Sequence, residues 1–400
     1  MKINSVFGNK LLVLVVSTIF LTPWGYSHFP ALLLLFPLVL MRGGKKILYD
    51  KETFFLFFFC YSYSAILFVN RGIQPGVGTL LKFLIVPILF YLAGKIFVLQ
   101  MTSFRELVKS LLFIFVAFTA VVYASIVSDI QENGYVSVSR NIQVLGEGGD
   151  LKNATGINSI LSVWLPMLGL AFWSAANSFE KRVKFFLILF SVVSFLFSLR
   201  LGSRTGVSIV AVGVSALFLY NLMASRLMGK LRLIAILGCV VLVFVMMLGL
   251  EDITSSYQDR IDSDEFGAST AGGRVELWGY YAGLLLSYPF GDIPSMRIEF
   301  AYAHNYFLDI AKVSGLVPFV AIIIFTASTL VNFYKVVNGP AHSLLRNVLI
   351  AVNIAFYLVF MVEPVMEGCF SLLCLYMFVC GITNILAKSK GYCRMVSYGA

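Results

Sequence analysis

Apolar residues run along this chain in long blocks, separated by short clusters of charge, glycine and proline. A helix that crosses bilayer hydrocarbon needs about 20 apolar residues, and about twelve blocks approach that length. They are 11–23, 27–41, 53–69, 78–99, 107–128, 156–177, 185–200, 205–223, 233–250, 306–333, 347–362 and 368–387. The first two are short enough for a re-entrant pair. The first also follows Lys2 and Lys10, as a signal peptide would. Thr22-Pro23-Trp24-Gly25-Tyr26 is no small-residue cleavage site, so the block is expected to stay as the first span. Between the blocks lie two long polar stretches, 129–155 and 251–304. Within the second, Arg274 to Ser287 places Leu277, Tyr281 and Leu284 at helical spacing. That segment is too short to span and is expected to lie as an amphipathic helix at the membrane interface.

Composition agrees. The chain is 59% hydrophobic and 12% charged, whereas soluble domains carry about 25% charged residues. The expected class is therefore an all-α polytopic membrane protein. Residues 1–250 form spans 1–9, residues 251–305 a large loop, and residues 306–400 spans 10–12 with a tail. The net charge of +10 would suit nucleic acid, but membrane proteins collect basic residues in their cytoplasmic loops. With both termini cytoplasmic, 20 of the 30 lysines and arginines fall inside, and every inner loop is basic. Both long polar stretches then face outward. The six cysteines lack metal-ligand spacing.

The candidate chemistry lies among the basic residues left outside, most of which are arginine. A planar guanidinium fork suits phosphate. Arg200 and Arg204 sit four apart around Gly202-Ser203, at the mouth of spans seven and eight. Arg274 opens the amphipathic helix, where a cation opposes the helix dipole and a bound anion would relieve it. His304 stands where the large loop re-enters the membrane and is suited to proton transfer. Its possible partners are Glu299, Tyr302 and Asp309, with Asn305 beside it; Asp309 and Lys312 also read as a simple helix pair. Asp262-Ser263-Asp264 matches a metal-binding DxD but faces away from cytoplasmic nucleotides. The glycines at 146, 148 and 149 lack a preceding strand and do not read as a phosphate loop. No metal site or cofactor is expected.

Three pieces together carry a family resemblance: Ser203-Arg204-Thr205-Gly206 opening a span, Gly273-Arg274 followed by Trp278, and HNYFLDIAKVSGLVPF from His304. They resemble the O-antigen polymerases and O-antigen ligases of Gram-negative bacteria (the Wzy/WaaL group), over roughly residues 155–335. The resemblance implies a GT-C-like, metal-independent, inverting glycosyltransferase of the bacterial inner membrane, with a periplasmic active site. Its donor would be an oligosaccharide on undecaprenyl diphosphate, and flippase and chain-length regulator proteins are implied partners. Arg204 and Arg274, with Arg200, would hold the diphosphate, and His304 would be the base. The stretch Asn305 to Phe319 looks more like polymerases than ligases. A lipid flippase or transporter is the competing class, but it usually places ionisable residues near the midplane of its spans, and here they gather near span ends.

Overall fold

The computed structural model describes residues 3–21, 31–42, 50–72, 74, 76–135, 141–145, 151–224, 274–296, 302–339 and 341–388. Among them, nine helices are long and apolar enough to cross a membrane. The chain is a polytopic, helical membrane protein. The expected span 233–250, the Asp262-Ser263-Asp264 motif, Gly146, Gly148, Gly149 and Glu299 lie outside the described residues.

In chain order the helices are α1 (Ile3–Phe20), a π-turn (Ala31–Leu35) running into α2 (Phe36–Arg42), α3 (Lys51–Arg71), α4 (Val77–Gln100) and α5 (Phe104–Asn133). Next come α6 (Ala154–Leu161), a 3-10 helix (Leu165–Phe172), α7 (Ser178–Arg200), α8 (Arg204–Ala224) and α9 (Arg274–Leu284). The last are α10 (Tyr306–Ser314), α11 (Leu316–Val337), α12 (Ser343–Val362), the single turn α13 (Val365–Gly368) and α14 (Phe370–Lys388).

Three details correct the sequence expectation. The block 156–177 is not one α-helix, because Pro166 has no N–H to continue the α pattern and the chain tightens to 3-10 geometry there. The block 306–333 is cut in two at Gly315, whose φ of 77° is left-handed. A Cβ at Gly315 would overlap the Pro289 carbonyl, whose oxygen accepts the Leu316 N–H at 2.9 Å. The fold is also not purely helical: β1 (Asn141–Gln143) pairs antiparallel with β2 (Leu151–Asn153), with Ile142 opposite Lys152. A strand, β1, therefore precedes the Gly-rich run along the chain.

The chain divides into two compact units. The first comprises Met1–Phe118, Ser269–His342 and Phe360–Ala400. In it α4 packs against α14 with touching backbones. A Cβ on Gly94 would overlap the Phe378 carbonyl, and one on Gly381 the Tyr91 carbonyl. Small residues permit such approach where no hydrophobic drive separates helix from lipid. Near the Lys95 end of α4 sits a partly buried ionic network. Lys95, within the expected span 78–99, is fully buried in the helix and pairs with Asp50 at 2.6 Å. Lys388 joins Asp50 at 3.1 Å and Glu52 at 2.6 Å, and Asn332 donates to Glu52 at 3.1 Å. Ionised groups are tolerated at such depth when they are paired.

The second unit comprises Thr119–Ala268 and Ser343–Val359. Its centre is Trp164, fully buried, which donates to Thr119 Oγ1 at 3.0 Å and lies 4.8 Å from the Phe190 ring. Two asparagines, Asn221 and Asn347, pair at 2.8 Å between α8 and α12.

Candidate active site

Helix α9 exists because one face of it is apolar. Leu277 and Tyr281, one turn apart, are buried with Ile293 and Ala303, and Leu284 and Leu308 pack around them. That packing fixes the two polar residues that matter. Arg274, at the first position, lies 3.6 Å from the carboxylate of Glu363, just past α12. Trp278, one turn on, donates its indole N–H to the carbonyl of Ala303 at 3.1 Å. The conflict between Arg274 and the helix dipole therefore has a protein answer in Glu363. The guanidinium is steadied on one side while its side chain stays 23% exposed.

Ala303 is gripped from its other side as well. The carboxylate of Asp309 accepts the N–H of Ala303 at 2.6 Å and that of Asn305 at 3.1 Å. Asn305 caps α10, its side-chain oxygen accepting from Phe307 and Leu308, and its amide donates to the Met361 carbonyl at 3.4 Å. Between these two clamped residues stands His304, with φ 52°. A left-handed backbone at a non-glycine residue is costly and persists where its surroundings enforce it. Asp309, considered as a partner for the imidazole, thus binds the backbone on both sides of it. Lys312 donates to Ser295 at 3.0 Å and lies 5.2 Å from the centre of the Tyr281 ring.

The His304 ring is half-buried, and its Nδ1 is buried with no hydrogen-bond partner among the described residues. Burial first, and the Arg274 charge second, lower the imidazole pKa to about 4. Burial pushes Asp309 up to about 6, against the pull of its two backbone N–H bonds and of Lys312.

Arg274, His304, Asn305 and Asp309 all belong to the first unit; Arg200 and Arg204 belong to the second. Ser203 caps α8 through its hydroxyl, which accepts the Gly206 N–H at 3.2 Å. Arg204 follows as the first helical residue, half-buried. Gly206 is required by crowding, since a Cβ there would lie 2.8 Å from Ser198 and 2.9 Å from Asn158 Oδ1. Arg200 lies deeper than Arg204. It is 2% exposed, its guanidinium pairs with Asp129 and it donates to the Gly134 carbonyl at 3.2 Å. Only its Nη2 is so engaged: Nε and Nη1 are buried with no hydrogen-bond partner among the described residues.

Two functional candidates had no sequence signal. Glu363 reaches Arg274 only through the fold. Glu367, in the α13 turn, accepts the Tyr63 hydroxyl at 3.1 Å. Solvent reaches this residue, yet protein crowds its carboxylate on most sides, and that crowding raises it to about 7. Among the described residues no group of three or more His, Cys, Asp or Glu is arranged to hold a metal ion.

No protein-family model matches the chain, and no curated protein matches it.

Proposed function

We propose that this protein is a glycan polymerase of the O-antigen type, acting at the periplasmic face of the bacterial inner membrane. It would transfer an oligosaccharide from undecaprenyl diphosphate to a lipid-linked repeat unit. The observation that carries the reading is the rigid frame shared by Arg274 and His304. One helix supplies both Arg274 and Trp278, and Trp278 holds the residue next to His304.

The chemistry divides between them. The acceptor hydroxyl attacks the anomeric carbon, the bond from that carbon to the diphosphate oxygen breaks, and its electron pair leaves on the phosphate. A fixed guanidinium stabilises that charge better than water would. Arg274 serves here, and the sequence motif assigns Arg204 the same task. The proton of the acceptor hydroxyl passes to the imidazole of His304, which is neutral at physiological pH because its pKa is about 4. A diphosphate on Arg274 would cancel the charge that depresses the imidazole, so His304 gains proton affinity when donor is bound. Glu363 and Asp309 act as positioning residues.

The test is a lipopolysaccharide gel of cells lacking the gene, with lipid-linked glycans extracted in parallel. A core carrying a single repeat unit, restored to a ladder by the wild-type gene but not by His304→Ala, is the expected result. A bare core with long polymer still on lipid would reassign the protein as the ligase. A normal ladder would overturn both.

A further inference from the structure

Lys82 lies early in α4, with its ammonium 4.5 Å from the centre of the Phe370 ring and 5.0 Å from that of Phe83. It has no hydrogen-bond or ion-pair partner among the described residues. A lysine near a helix end commonly snorkels to water. This one instead rests half-buried on two aromatic rings, which are each 5% exposed. Phe83 in turn packs edge-on against Tyr63, ring centres 5.3 Å apart, and the buried Tyr63 hydroxyl donates to the Glu367 carboxylate at 3.1 Å, so both charges border one aromatic cluster without forming an ion pair.

Opposite charges on one aromatic cluster define what fits. An anion bound to Lys82 would meet Glu367, and a cation bound to Glu367 would meet Lys82. A neutral hydroxyl satisfies both, accepting from the ammonium and donating to the carboxylate. We propose that Lys82 and Glu367, braced by Tyr63, Phe83 and Phe370, form a sugar-hydroxyl subsite for the glycan of the lipid-linked substrate. The substrate class rests on the polymerase reading above; the hydroxyl chemistry rests on the paired charges.

The experiment uses the full chain in proteoliposomes and follows acetic anhydride labelling of Lys82 by peptide mass. Three preparations are compared: no addition, lipid-linked glycans extracted from cells lacking the gene, and sugar-free undecaprenyl diphosphate. Protection by the glycan-bearing lipid alone is expected. Glu367→Gln should raise the glycan lipid needed for half-protection about tenfold, the cost of weakening one charged hydrogen bond. Equal labelling in all three preparations overturns the subsite, and equal protection by the sugar-free lipid shows a diphosphate site instead. Polymer formation is read in the same vesicles. Protection without polymer sinks the polymerase reading and leaves the subsite standing, whereas polymer without protection removes the subsite alone.

Discussion

Asp309 governs His304 through the backbone: its two carboxylate oxygens accept the N–H groups immediately before and after the histidine. The left-handed φ of 52° at His304 is the strain this clamp sustains. Asp309→Asn replaces one acceptor with a donor facing an N–H. Turnover should fall by about 10- to 100-fold with the donor KM little changed, and the protein should lose about 1–3 kcal/mol of stability, the usual cost of an unsatisfied buried group. Steady-state kinetics and thermal unfolding of the purified variant check both.

The same strain separates two inactive variants. His304→Gly removes the penalty of a positive φ, whereas His304→Ala keeps it. Both should abolish transfer, and the glycine variant should be the more stable by about 1 kcal/mol. Equal melting temperatures would show that the backbone relaxes once the ring is gone.

The acid limb of activity should follow the imidazole. Its pKa is depressed from 6.5 to about 4, so the neutral base is retained above about 4 and lost as pH falls through it. The unfolded chain takes the proton first, so this group's contribution to stability falls as pH drops from 6.5 towards 4. Arg274→Gln removes the second cause of the depression but leaves burial in place. The acid limb should move upward, short of 6.5, in a pH profile of kcat/KM, besides the loss of donor affinity. An unmoved limb would detach it from His304.

Arg200 and Arg204 should behave oppositely. Arg200→Ala takes its ion-pair partner from the half-buried Asp129, which keeps only the Asn133 amide among the described residues, and costs about 1–3 kcal/mol. Thermal stability should drop while the donor KM of the surviving protein stays near wild type. Arg204→Lys keeps the charge and loses the planar fork. Activity should fall at least tenfold with the melting temperature unchanged.

The apolar blocks were legible because lipid imposes length and polarity on any span, and α3, α4, α5, α7 and α8 fall where those blocks lie. The Arg274 helix was legible for a similar reason: Leu277 and Tyr281 needed one face. The breaks were less so. Gly315 reads as an ordinary glycine until the Pro289 carbonyl is seen against it. Arg200 and Arg204 share a spacing, and only the fold brings Asp129 to one of them. Glu363 and Glu367 follow a span far along the chain from Arg274 and Lys82, and nothing local marks either carboxylate. Asp309 was legible as a neighbour of His304, but its bonds go to the backbone, which sequence spacing does not describe.

The meeting of Gly94 with Phe378 and of Gly381 with Tyr91 constrains inheritance as well as packing. An oversized side chain can be forgiven when a mutation trims the side chain it strikes. Here the struck atoms are backbone carbonyl oxygens, and every amino acid carries one. Neither glycine has a local suppressor at its contact, so a lineage that loses one can recover only by shifting a whole helix.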